Sequence, residues 1–342
     1  MKTITLNKPG QFSLTSCDDP GEPGAGMARL AIDKIGICGT DLHAFRGRQP
    51  FFEYPRILGH ELGVVVESVG PGVTDIQPGD RCAVEPYLNC GTCVACQAGK
   101  TNCCTSLSVL GVHIDGGMKE SILYPTEKLY PSETLETQQL ALVETLGIGA
   151  HAVDRARPQK DEKVLVIGAG PIGLSVIQFA LVTGADVAVL ELIPDRRQFV
   201  QDQLGIPTVF GDLETVPDAL DGWTDGDLPT LVFDATGNPK SMAAAFGYVA
   251  NGGRLTLVGL VQGDITFNDP EFHRREMTIL ASRNARSEDF RRIIRLIESG
   301  EVDTGPWITH RTGYAGFIEA FPTWLEPEAG VVKAMLDLGD SG

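Results

Sequence analysis

A chain of 342 residues is long enough for about two domains, each burying its own core. Its 28 Lys+Arg against 45 Asp+Glu leave a formal net charge of -17, which repels phosphate backbones and anionic lipid surfaces and argues against a nucleic-acid or membrane partner. No apolar run approaches bilayer-spanning length, and Met1 leads straight into the polar-apolar alternation of KTITLN instead of a secretory signal, so a cytoplasmic protein is expected.

In the first 150 positions Gly and Pro recur every few residues between short alternating strands, as in GVVVESVGPGV and QPGDRCAVEP. That texture suggests an all-β barrel or sandwich. Within it lie GICGTDLHAFRG and PRILGHELG, which contribute Cys38, Thr40, Asp41, His43, His60 and Glu61, and VETLGIGAH adds Glu144 where the texture turns helical. Taken singly, Cys38 reads as a buried apolar thiol, His60 as a satisfied core imidazole and Glu144 as a helix-start carboxylate. Together they form a mixed S, N and O donor set of the kind used by a catalytic zinc with an exchangeable position.

Between them runs NCGTCVACQAGKTNCC, in which Cys90, Cys93, Cys96 and Cys104 have the spacing C-x2-C-x2-C-x7-C. Four thiolates this close can converge on one tetrahedral Zn²⁺ with no position left open, a structural site in a lobe over about residues 88–106. Disulfides would need an oxidising compartment that nothing else in the sequence indicates. Cys103 is expected to lie beside the metal, because Cys104 supplies the final spacing.

The next strong signal begins at Lys163, in KVLVIGAGPIGLSVIQFALVTGADVAVLELIPDRR. Val164 to Ile167 is a continuous aliphatic run, as in a parallel strand buried on both faces. It opens into Gly168-x-Gly170-x-x-Gly173, with Pro171 and Ile172 at the helix start. Gly168 would permit the tight turn, Gly170 the approach of a pyrophosphate and Gly173 the packing of helix on strand. A second strand, Val187 to Leu190, delivers Glu191 where a carboxylate would accept from the adenine ribose and repel a 2'-phosphate, so the cofactor expected is NAD, not NADP, with Arg196 nearby. Further strands end at Asp234 in DATGNP and at Gly259 in RLTLVGL. Gly259 and Leu260 join the cofactor-binding candidates, while Asp234 is as well explained by a cap on its own turn.

On these motifs the chain resembles the zinc-dependent medium-chain dehydrogenases over nearly its whole length. The resemblance implies an α/β plus β protein: a GroES-like β-barrel catalytic domain (residues 1–145 and 285–342) carrying the zinc lobe, and a Rossmann NAD-binding domain with a doubly wound parallel sheet (residues 146–284). It implies one catalytic and one structural Zn²⁺ per chain, with Cys38, His60 and either Glu61 or Glu144 as catalytic-zinc ligands. Thr40 falls where the family takes the substrate hydroxyl's proton, His43 where that proton passes to solvent, and Asp41 where a carboxylate orients the zinc-bound histidine.

Within the family CGTDLH, GVHIDGG around His113 and WITHR around His310 resemble the branch acting on polyols and sugar acids, and most of all the L-galactonate/L-gulonate 5-dehydrogenases and their starvation-sensing relatives. L-Threonine 3-dehydrogenase or simple alcohol dehydrogenase activity is the alternative. A regulatory protein on the same fold is the non-enzyme alternative, and intact Cys38, His60, Glu61, Thr40 and His43 argue against it. A homodimer or homotetramer is expected. For a carboxylate substrate in so acidic a chain, Arg46, Arg48, Arg56, His113 and Arg283 are candidate contacts, each with a surface ion-pair role as its alternative. Two positions depart from the family pattern. The glycine of G-H-E-x-x-G comes one place early, at Gly63, which is expected to alter backbone packing and not ligation, and Thr145 stands where Pro often follows the glutamate.

Overall fold

The computed structural model describes residues 1–49 and 52–339, and the chain folds as two units: Met1–Glu144 together with Arg286–Gly342, and Thr145–Ala285. Among the described residues no helix is long and apolar enough to cross a membrane.

The first unit is organised by one long strand, Met27–Ile37, whose burial alternates through Ala28, Leu30 and Ile32 as a half-buried strand requires. It pairs antiparallel with Glu61–Val69, Ser121–Pro125 and Lys333–Asp337. Arg81–Val84 and Leu129–Pro131 extend the sheet on one side, and Ile308–Gly313 extends it on the other, parallel to Lys333–Asp337. A smaller sheet of Gln11–Ser16, Lys2–Lys8 and Arg56–Ile57 shares the same core. Phe12 from that sheet packs on Phe45, Phe317 and Phe321 with ring centroids 4.9–5.4 Å apart, so the two ends of the chain are joined by aromatic packing as well as by strand pairing.

The early glycine of the GHEL-G run has a steric cause. A Cβ on Gly63 would overlap the carbonyl oxygen of Thr137, the first residue of the short helix Thr137–Ala141. This helix lies directly on the strand, and the chain then enters the helix Val143–Ala156 with Glu144 in its first turn.

The second unit is a six-stranded, wholly parallel sheet in the order Val209–Phe210, Asp186–Leu190, Lys163–Ile167, Leu231–Asp234, Arg254–Leu257, Thr278–Ala281. In sequence terms this is 3-2-1-4-5-6, the Rossmann order with its switch point between the first and fourth strands. Val164, Leu165, Val166, Leu231, Val232 and Phe233 have no exposed surface, as continuous aliphatic runs demand in a sheet covered on both faces.

Gly63→Ala should lower stability by about 3 kcal/mol, the scale of overpacking against unyielding backbone. The urea midpoint of the variant against wild type checks this; an unchanged midpoint would remove the close approach as the reason for the early glycine.

Candidate active site and metal centres

Antiparallel pairing of Met27–Ile37 with Glu61–Val69, register Gly36 to Glu61, brings Cys38, just past the end of one strand, beside His60, just before the start of the other. The donor atoms of Cys38, His60 and Glu61 lie within 4.8 Å of one another. Cys38 caps the helix Gly39–Phe45, which carries Thr40, Asp41 and His43. Asp41 Oδ2 accepts from the Cys38 backbone N–H at 2.9 Å, and its Oδ1 faces His60 Nδ1 at 3.8 Å. Both of those facing atoms are buried without a hydrogen-bond partner. His43 is exposed on the same helix, and desolvation of its ring, followed by the nearby Arg46 and Arg48, lowers its pKa.

Three further residues complete this pocket. Lys333, 2% exposed, places its ammonium 2.7 Å from both carboxylate oxygens of Glu61 and donates to the Ile37 carbonyl at 3.3 Å. Tyr87 donates a short hydrogen bond to Glu144, and both side chains are buried. Gly36 lies across from Glu61 and leaves the space its carboxylate fills. The grouped donors therefore include Glu61, whereas Glu144 is bound to Tyr87 alongside.

The pocket gathers the buried carboxylates of Asp41, Glu61 and Glu144 with the imidazole of His60 and the ammonium of Lys333. Burial raises the pKa of Glu144 and of Asp41. Burial also opposes a charged His60, yet Asp41 and Cys38 outweigh it and hold the imidazole's pKa well above the ordinary value. Lys333 is raised likewise, with Glu61 overriding burial. Orphaned facing atoms on Asp41 and His60, together with grouped thiol, imidazole and carboxylate donors, fit a borderline divalent metal such as zinc.

The second donor set is Cys90, Cys93, Cys96 and Cys104, again with all sulfurs within 4.8 Å. None of the eight cysteines is in a disulfide. Backbone N–H groups of Cys90 and Ser106 point at Cys104 Sγ, that of Cys93 at Cys90 Sγ, and the Asn89 amide at Cys96 Sγ. Such donors stabilise thiolates: the backbone N–H of Cys96 brings Cys93 down to about 5 and the Thr92 hydroxyl brings Cys90 to about 7, while burial holds Cys96 up at about 11. Four sulfurs so grouped fit a closed tetrahedral site, and Cys103 lies outside the group, exposed.

In the second unit Gly168 has φ +92°, the left-handed turn that glycine makes without strain. A Cβ on Gly173 would overlap the Gly168 carbonyl, so helix and strand touch there. Gly170 caps the helix Pro171–Val182, and only an Arg196 guanidinium nitrogen would come near a Cβ on it, at 3.6 Å. Glu191, 6% exposed, accepts from the Ala169 N–H at 2.7 Å and the Ile193 N–H at 2.8 Å, one on each oxygen. Its remaining lone pairs are available to ribose hydroxyls. Gly259 lies against the Gly237 backbone, and Leu260 is 75% exposed. Asp234 is fully buried and serves its own turn, accepting from Thr236 and Ser241 at 2.6–2.9 Å.

Residues 24–134 match the alcohol dehydrogenase GroES-like domain and residues 171–299 the zinc-binding dehydrogenase family. The chain is 42% identical to L-galactonate-5-dehydrogenase of Escherichia coli (strain K12), covering 92% of each. It belongs to the zinc-type medium-chain dehydrogenases. It is also 31% identical to L-threonine 3-dehydrogenase of Pyrococcus horikoshii over 98% of this chain and 99% of that one. Among solved structures, the alcohol dehydrogenase RspB from E. coli CFT073 in complex with NADH shares a TM-score of 0.91 at 30% identity, covering 99% of both chains. The dehydrogenase described here is thus an oxidoreductase with a GroES-like and a Rossmann domain.

Of the candidate substrate contacts, Arg46 donates to the Leu325 carbonyl at 2.8 Å, Arg56 pairs with Asp115 at 3.4 Å, and the His113 ring accepts from the Val109 N–H at 3.0 Å. Arg48 and Arg283 are exposed. Lys333, Tyr87 and Gly36 escaped sequence reasoning. The one available signal was a lysine opening the apolar strand KAML, where a charge would not survive burial without a partner.

Proposed function

We propose that this dehydrogenase oxidises a secondary alcohol of a polyol or sugar acid, of the L-galactonate or L-gulonate class, to a ketone, passing the hydride to NAD. The observation that carries the reading is the grouping of the Cys38, His60 and Glu61 donors within 4.8 Å of one another. Zinc held there by these residues would supply Lewis acidity to the carbinol oxygen. Asp41 would hold the His60 ring by its Nδ1 edge, leaving Nε2 for ligation. Thr40 would take the carbinol proton and His43, exposed and with a lowered pKa, would carry it to solvent. The second unit would receive the pyrophosphate at the Gly170 end of its helix and the adenine ribose at Glu191. The lobe cysteines would hold a second, structural zinc. The sugar-acid substrate is supported by the relative named for L-galactonate, and L-threonine is the second reading, supported by the relative named for it.

Two zinc ions per chain are expected by elemental analysis. Cys38→Ser should lose one together with turnover while melting as wild type does, and Cys96→Ser should lose the other and melt lower, because metal binding at such a lobe contributes to folding. Full activity in Cys38→Ser with the lobe loaded would refute the catalytic assignment.

NAD⁺ should be preferred over NADP⁺, and Glu191→Ala should narrow the ratio of kcat/KM values by roughly tenfold or more, the effect of losing about one charge-assisted contact. An unchanged ratio would shift discrimination to Arg196.

Initial-rate measurements on matched pairs should favour a sugar acid over its uncharged polyol and over L-threonine in kcat/KM. A polyol preferred to every acid tested would exclude a carboxylate subsite.

A further inference from the structure

The helix Ser287–Glu298 buries Phe290, Ile293, Ile294 and Ile297 and leaves Arg291 and Arg295, four residues apart, on one exposed flank. Like charges at that spacing destabilise a helix. In a chain with 45 Asp+Glu against 28 Lys+Arg, carboxylates to offset them are plentiful, and nearby Arg292 pairs with Asp289 and Arg286 with Glu288. Among the described residues, however, neither the Arg291 nor the Arg295 guanidinium has an ion-pair or hydrogen-bond partner. The negative end of the helix favours a cation at Arg295, in the last turn, and does not account for Arg291 a turn earlier. Both arginines line a cavity of about 330 Å³ between this helix, the strand Leu129–Pro131 and residues 75–76. Its floor is apolar, formed by buried Ile76, Leu129 and Ile294. The Arg291 guanidinium lies 5.1 Å over the Tyr130 ring, whose hydroxyl is fixed on Glu85 at 2.6 Å, so one of the two cations is already held in place. Two carboxylates also line the cavity: Glu298, which accepts from Ser132 at 2.6 Å and Thr134 at 3.3 Å, and exposed Asp75. They confine an anionic group to the arginine side.

We infer that this cavity is a binding site for a small organic anion, with a carboxylate or phosphate head gripped by Arg291 and Arg295 and an apolar body resting on Ile76, Leu129 and Ile294. It shares no residue with the Cys38, His60 and Glu61 group and does not depend on the metal reading. Guanidinium forks match an oxyanion bidentately, and here neither would first have to leave a carboxylate. The volume falls at the lower end of the range that small-molecule sites occupy, enough for one ring and its head group and too little for a dinucleotide. Both halves of the ligand are required. An inorganic anion would leave the apolar floor in water, and a neutral ring would leave the two arginines repelling each other.

The test is titration calorimetry of the full chain with four probes: benzoate, phenyl phosphate, benzamide and inorganic phosphate. Benzoate or phenyl phosphate should bind with a Kd of roughly 1 mM or tighter, the tighter of the two identifying the head group. Benzamide and inorganic phosphate should bind at least roughly tenfold more weakly, each lacking one half of the ligand. Arg291→Ala and Arg295→Ala should each weaken the favoured probe by roughly tenfold or more, the effect of losing about one charge-assisted contact. Arg295→Lys, which keeps the charge and loses the fork, should fall between wild type and Arg295→Ala. Because both side chains are exposed and stand outside the donor group, the variants should melt as wild type does and keep its kcat/KM for alcohol oxidation. Benzamide binding as tightly as benzoate would reduce the cavity to an apolar groove, and inorganic phosphate binding as tightly as phenyl phosphate would reduce it to a patch of surface charge. Either result overturns the inference, as would aryl-anion binding that survives both alanine variants, or no binding of either aryl anion.

Discussion

Lys333 and Glu61 are almost wholly out of water and are bound to each other at 2.7 Å, so removing one would take an ionic partner from the other's buried charge, a loss of several kcal/mol. Their pairing therefore constrains three strands together: Lys333–Asp337 from the far end of the chain, Met27–Ile37 in the middle, and Glu61–Val69 beyond it. Once the register is set as Gly36 to Glu61 and Ala334 to Ile37, the residues just past the strand ends have little freedom. Cys38 and His60 are those residues. The donor group is thus a consequence of strand pairing before it is a consequence of any metal.

Around that frame, small local devices set the details. Asp41 caps the start of its own helix, which bears Thr40 and His43, with one oxygen and turns the other toward His60 Nδ1, 3.8 Å away. Gly63 lets the Thr137–Ala141 helix settle against the strand, and this delivers Glu144 to Tyr87. A second buried ion pair follows the same logic near the lobe. Glu85 accepts from Lys128 and Tyr130 at 2.6 Å and from Ser287 at 2.8 Å, and Lys128 goes on to Asn89, whose amide points at Cys96. The cysteine lobe is therefore tied to the sheet through a chain of polar contacts that runs from buried Glu85 and Lys128 out to half-buried Asn89.

In the second unit the glycine turn and Glu191 support each other. The carboxylate that would read the ribose also receives the Ala169 N–H, so it holds the end of its strand against the turn it would serve with. Arg196 reaches the open face of Gly170 from the next helix, and this adds a cation where a pyrophosphate would arrive.

The parts of this protein legible in the sequence are those in which chemistry and spacing are local. The C-x2-C-x2-C-x7-C lobe and the strand–glycine–helix turn with Glu191 after the next strand each involve residues close along the chain, and short-range geometry fixes them. Cys38, His60 and Glu61 could be nominated by type, and family resemblance narrowed their role. The tertiary structure alone decided that Glu61 stands with Cys38 and His60 while Glu144 lies on Tyr87, that Asp234 is used up by its own turn, and that Lys333 belongs to the pocket at all. Lys333 lies 272 residues from Glu61, and no periodicity connects them. What brings them together is the return of the C-terminal strand to Met27–Ile37, a long-range pairing in the register Ala334 to Ile37.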